Sequence, residues 1–179
     1  IATALDHPDL HLIKNAGEVA VDDKITFNVL SVFDEDNWVA PSNPDKINIA
    51  LYHGSLSGVV TDTGWVMTHG DHPIEIFEDF DYALLGDIHK TNQIIDGGIG
   101  KARYPGSTVQ QNFAESNDKG FLLWDIKGKD DFTCKHIAIE NPKPFVTIEL
   151  TPKGRMPRGM KAPLGARLRL VSKNNLSLD

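Results

Sequence analysis

Seven histidines, 25 carboxylates and one cysteine are the side chains of this 179-residue chain best suited to catalysis or metal binding. Among the histidines at 7, 11, 53, 69, 72, 89 and 136, two stand out by position. His53 follows the apolar run Ile47-Asn48-Ile49-Ala50-Leu51-Tyr52, and His89 follows Tyr82 to Leu85. Each is close to a glycine, Gly54 or Gly86, that lets the backbone turn and expose a side chain. Open α/β sheets place their sites at such strand ends, because a rigid strand delivers the ligand and a loop leaves room for substrate. In Asp87-Ile88-His89 one residue separates two potential ligands. If that step is extended, both side chains leave the same face, as two ligands of one metal centre require. Neutral imidazole with carboxylate suits Mn²⁺, Fe²⁺ or Zn²⁺, and the carboxylate favours the harder ions. The same spacing also serves an ordinary turn hydrogen bond, so both readings stand on spacing alone.

His69-Gly70-Asp71-His72 is a competing cluster, able to bind metal on a loop or, with Pro73, to form the capped start of a helix. His7 and His11 are separated by Pro8, which disfavours a helix spanning both, and read as surface groups. His136 alternates within a strand-like run and reads as structural. Cys134 also lies in that run, with no strand-turn-helix elbow, and Ser55 and Ser57 lack a G-x-S-x-G context, so nucleophilic catalysis gains little support. Gly97 to Gly100 is not followed by Lys-Ser/Thr, which excludes a P-loop.

The elements that must position these groups read as strands. Glu18 to Val21 and Lys24 to Phe33 flank the turn pair Asp22-Asp23 and predict a hairpin. Asp34 to Asp45, with Pro41 and Pro44, breaks any regular pattern before the strand that leads to His53. Pro73 to Phe80 predicts a short helix, because Pro fits a first turn and Ile74, Phe77 and Phe80 recur at spacing three. Beyond Tyr82 to Leu85, strands are predicted at Gln93 to Asp96, Lys101 to Tyr104, Gly120 to Lys127, Phe132 to Glu140 and Pro144 to Leu150. Turns at Gly97-Gly98 and Gly128 separate several of them. Thr151 to Pro163, with three prolines and two glycines, resembles a linker into Ala166 to Val171. No internal repeat and no coiled-coil heptad is present.

At 40% hydrophobic and 24% charged residues the composition is that of one soluble domain. No stretch approaches the ~20 apolar residues of a membrane span, and no basic region precedes an apolar signal segment. A single cysteine suits a reducing cytosol, so a cytoplasmic location is expected. The net charge of −7 is unevenly spread. Residues 1–149 carry 11 basic against 24 acidic side chains, whereas residues 150–178 carry seven basic and none acidic. Such a tail is either a solvated Pro-rich linker or a surface for a polyanion. Because the chain opens on Ile1 and ends directly after a strand-like stretch, it is expected to be a piece of a longer protein.

Taken in order, these features resemble a known family. A strand ending in His53-Gly54, then Leu84-Leu85-Gly86-Asp87-Ile88-His89-Lys90, Tyr104-Pro105-Gly106-Ser107 and Lys119-Gly120-Phe121-Leu122-Leu123-Trp124 resemble the calcineurin-like metallophosphoesterases, and more closely the SbcD-type nuclease subunits of bacterial and phage repair exonucleases. The resemblance covers roughly residues 18–172 and implies a strand-rich α/β fold. This would be a partial phosphoesterase β-sandwich with flanking helices and one half missing. Residues 1–150 would be the C-terminal part of the nuclease domain, 151–165 a linker and 166–179 the start of a capping domain. His53 matches the family's lone metal-binding His, and His89 the last His of G-H-x-H. Asp87 stands where the family usually has that motif's first His, and its added charge would favour hard cations. No D-x-H or G-N-H-D occurs upstream, so the catalytic His those motifs supply is absent from this chain, which is expected to be inactive alone.

The resemblance thus implies a two-metal centre of Mn²⁺, with Mg²⁺ as the alternative, held in part by His53, Asp87 and His89. It implies hydrolysis of DNA ends in repair or recombination, with an SbcC-like ATPase as partner. Lys90, Lys153, Arg155, Arg158 and Lys161 are the candidate DNA contacts. A sheet lacking one side would expose apolar surface, so self-association into a homo-oligomer is expected. The alternative from a different class is a non-catalytic nucleic-acid or partner-binding module with a degenerate phosphoesterase site.

Overall fold

The computed structural model describes residues 12–174. The expected hairpin forms between β1 (Gly17–Ala20) and β2 (Ile25–Leu30), paired antiparallel. Asp22 sets its turn, accepting the N–H groups of Lys24 and Ile25 at 2.7 and 2.8 Å. The next strands are parallel: β3 (Ile47–His53) beside β2, then β4 (Tyr82–Gly86) beside β3. After β5 (Gln93–Ile94), β6 (Ala102–Tyr104) extends the parallel run beside β4, and β5 closes the edge antiparallel to β6. The sheet order is β1-β2-β3-β4-β6-β5. Its first four strands lie side by side in chain order, a solenoid-like succession.

The flanking helices expected from the resemblance do not form. Among the described residues there is no α-helix, only two 3₁₀ turns, Glu35–Asn37 and Ile74–Phe77. The α/β sandwich with flanking helices is therefore not the fold of this chain, which is strands joined by irregular connections. The crossovers explain this. They are punctuated by Pro41 and Pro44 in one and Gly58, Gly64 and Gly70 in the other, and neither carries the 10 to 12 periodic residues, roughly, that a stable helix needs. The predicted helix at 73–80 is reduced to one turn. Pro73 is extended and gives no side-chain cap, and the chain must descend into β4 two residues after Phe80.

Loops cover the sheet instead. Leu30, Ala50, Tyr52, Ala83, Leu85, Ala102 and Tyr104 form one buried face, packed under Leu56, Val59, Phe77 and Ile88 from the connections. Trp38, Met67, Ile74 and Phe80 pack against it from outside. The opposite face is divided. At one end Tyr82 meets Trp124 and Phe132 edge-on and donates its hydroxyl to the carbonyl of Gly128, at 2.6 Å. Those residues belong to the hairpin of β7 (Gly120–Ile126) and β8 (Phe132–Ala138). At the other end Val29, Leu51 and Leu84 line an apolar groove of about 1000 Å³ that runs to His53 and Gly86.

The remaining strands, β9 (Phe145–Glu149) and β10 (Arg167–Val171), pair parallel. The predicted strand positions are thus recovered with ends shifted by one to three residues, and 151–163 is irregular. No helix among the described residues is long and apolar enough to cross a membrane.

Candidate functional site

His53 ends β3 with its partner Gly86 opposite on β4. The ring lies over that glycine, because a Cβ on Gly86 would stand 2.5 Å from His53 Nδ1. The missing side chain thus makes the seat of the imidazole. His53 is otherwise open, with a side chain 78% exposed, and its Nε2 lies 3.9 Å from Asp87 Oδ1.

Asp87 occupies a left-handed backbone conformation, φ +96°. A residue with a Cβ is uncommon there, and such conformations persist where surrounding structure over-determines them. The surroundings here are Gly86 in the sheet and Ile88, 7% exposed, in the core. The step through Asp87-Ile88-His89 is therefore not extended from its first residue. Burial of Ile88 still leaves Asp87 and His89 exposed on either side of it.

His89 is held differently. Its Nδ1 lies 3.0 Å from Glu115 Oε1, and Lys119 Nζ donates to its backbone carbonyl at 2.8 Å. Gly106, at φ +88°, brings the Tyr104-Pro105-Gly106-Ser107 turn against the same segment: a Cβ there would meet Thr91 Cα at 2.8 Å and the His89 carbonyl oxygen at 2.9 Å. The two histidines open into separate clefts, and Asp87 lines both, the first of about 440 Å³ with His53 and the second of about 270 Å³ with His89.

The competing cluster comes partly into the same place. Asp71, His72 and Glu35 line the cleft of His53. His72 Nδ1 lies 2.9 Å from the Tyr52 hydroxyl oxygen, and its Nε2 lies 3.5 Å from Glu35 Oε2. Burial raises the Tyr52 hydroxyl well above its ordinary range, helped by the nearby carboxylates of Asp71, Glu35 and Asp87. Asp71 is engaged by the N–H and hydroxyl of Ser55, at 2.9 and 2.7 Å, which hold its carboxyl below the usual aspartate range. His69 is exposed outside this cleft.

His136 sits within β8 opposite Leu122, in keeping with a structural role. Burial pushes the Cys134 thiol up, away from nucleophilic readiness. His7 and His11 lie outside the described residues. Of the candidate DNA contacts, Lys90 is half-buried beside His89, while Lys153, Arg155, Arg158 and Lys161 are exposed. Arg167 and Arg169 in β10 are occupied, their guanidinium groups over the rings of Phe145 and Phe113, and Lys173 pairs with Glu149 at 2.9 Å.

Glu115 and Asp62, which with Lys119 surround His89, were not singled out by residue type. A signal existed in the spacing of Glu115 and Lys119, four apart and immediately before Gly120. For a divalent ion the donor chemistry of His53 and Asp87 fits. Adjacent donors in an octahedral shell stand about 3 Å apart, and two exposed side chains 3.9 Å apart close that gap by small rotations. Among the described residues no three His, Cys, Asp or Glu side chains are grouped so as to hold one ion.

No family model matches the chain. An uncharacterized protein of Acanthamoeba polyphaga mimivirus, R555, is 30% identical over 178 residues. The match takes in 93% of this chain and 13% of that protein, so the chain spans a small part of the relative's length.

Proposed function

We propose that this chain contributes His53, Asp87 and His89 to a Mn²⁺-dependent phosphodiesterase centre in a DNA exonuclease subunit of the SbcD type. The observation that carries the reading is the placement of His53 and Asp87 at the ends of adjacent parallel strands, the imidazole seated on a side-chain-free Gly86 and the carboxylate on a left-handed turn. A bound pair of divalent cations supplies an activated water and stabilises charge on the attacking and leaving oxygens. His53 presents Nε2 to the first cleft, Asp87 adds the charge that hard cations favour, and His89 faces the adjoining cleft. Lys90 and the exposed Lys153, Arg155, Arg158 and Lys161 attract the DNA backbone, which makes binding fall with salt.

An SbcC-like ATPase as partner and a cytoplasmic location belong to the same proposal. Self-association is supported by the apolar groove beside His53, and light scattering at micromolar concentration is its check. The activity is tested by Mn²⁺-dependent release of nucleotides from linear DNA by the protein that carries this chain. His89→Ala abolishes release; retained release overturns the role of His89. The second reading, a binding module without catalysis, is favoured by Asp87 standing where the resembled family usually has His. It predicts salt-sensitive DNA binding with no bound metal.

A further inference from the structure

Lys119 has no exposed side-chain surface. Its ammonium is compensated by Asp62 Oδ2 at 2.6 Å and Glu115 Oε2 at 3.4 Å, two carboxylates that are themselves less than a tenth exposed. Asp62 also accepts from the Ser116 hydroxyl at 3.0 Å. Burying three charges is worthwhile only where their geometry is fixed and their hydrogen bonds are satisfied.

Everything that reaches the Glu115 carboxylate donates. The backbone N–H of Gln111 lies 3.0 Å from Oε2, and the side-chain NH₂ of Asn112 lies 3.0 Å from Oε1. The orientation of that amide is set by its oxygen, which accepts from the N–H of Ala114 at 2.8 Å. Gln110 ties the backbone down, donating to the Glu115 carbonyl at 2.7 Å while its own side-chain oxygen accepts from Phe145 of β9. An ionised carboxylate only accepts, so the imidazole nitrogen facing it, His89 Nδ1, carries a proton. In the neutral ring the lone pair is then on Nε2, the far side of a side chain that is 43% exposed and lines a cleft with Asp87.

We infer that Glu115 is a positioning residue that fixes both the tautomer and the orientation of His89, with Lys119 and Asp62 as its buried anchor, so that Nε2 is delivered outward as an acceptor. Carboxylate–imidazole pairs do this for metal-binding histidines in general. That the acceptor serves a cation rests on the proposed function, whereas the tautomer does not.

The two parts are separable in one experiment on the ¹⁵N-labelled full chain. Two-bond ¹H–¹⁵N spectra at about pH 8, where free imidazole is neutral, report which ring nitrogen is protonated, and His89 is identified by the loss of its signals in His89→Gln. The expected result is His89 protonated at Nδ1 in the wild type. Glu115→Ala moves the proton to Nε2 in a large part of the population. Glu115→Gln, whose amide oxygen still accepts, restores Nδ1–H. Mn²⁺ affinity falls about 10- to 100-fold in Glu115→Ala. A wild-type His89 protonated at Nε2 overturns the inference without recourse to any variant, as does an unchanged tautomer in folded Glu115→Ala. The predicted tautomers without Mn²⁺ binding uphold Glu115 as a positioning residue and overturn the metal centre.

Discussion

His53 and His89 both follow parallel strands of one sheet and both adjoin Asp87, yet they are held in opposite ways. His53 is placed by an absence, the side chain that Gly86 lacks, and is free to turn in solvent. His89 is fixed by a buried ammonium and two buried carboxylates, with a turn glycine pressed against its carbonyl. One imidazole is therefore preorganised and the other adaptable. Preorganisation is stored in the polar core around Lys119, and adaptability lies where the sheet face is open.

Lys119→Met attacks the comparison most strongly. It leaves Asp62 and Glu115 buried beside an apolar side chain, and the loss expected on removing one partner of a buried charge group is about 3–5 kcal/mol, read from urea unfolding. Gly106→Ala comes next. A residue with a Cβ at φ +88° costs about 1–3 kcal/mol before the contacts with Thr91 and His89 are counted, and the His89 resonances should move with the fall in melting temperature.

A pH series sharpens the same contrast. Burial alone would raise the Glu115 carboxyl, but the Gln111 N–H, the His89 ring and Lys119 outweigh it and hold it below the usual glutamate range. The unfolded chain thus takes up this proton first as pH falls. The stabilisation is present above the ordinary glutamate pKa, about 4.3, and is lost as pH drops through the lower folded value. Glu115→Gln should flatten the acid slope of stability, and an unaltered slope would remove Glu115 from the network's energetics. His53→Ala, at the other extreme, is expected to change stability by no more than about 0.5 kcal/mol, because the ring is mostly exposed. A larger loss would show that His53 is part of the packing rather than an open ligand.

The strand ends were legible in the sequence for a physical reason. Ile47 to Tyr52 and Tyr82 to Leu85 are apolar on both faces, as strands inside a parallel sheet must be, and His53 and Gly86 break those runs. The helix at 73–80 was misread because spacing three in Ile74, Phe77 and Phe80 is satisfied equally by one 3₁₀ turn laid over the core. The flanking helices failed with it: the family resemblance lay in short motifs at strand ends and carried no information about the connections between them. The buried network has no local signature, because Asp62 lies far along the chain from Glu115 and Lys119. Only the fold brings Lys119 under the His89 carbonyl, and no periodicity in the chain signals that.

The central proposal is that His53, Asp87 and His89 contribute, from two adjoining clefts, to a divalent-metal centre. Its most direct test is a Mn²⁺ titration of the ¹⁵N-labelled full chain, following paramagnetic broadening of the histidine rings and reversal by a chelator. The account predicts that His53 and His89 broaden together at the lowest Mn²⁺, ahead of His69 and His136, and that His53→Ala weakens the effect at His89. Broadening that begins at His69 or His136, or that leaves His89 untouched, would contradict it.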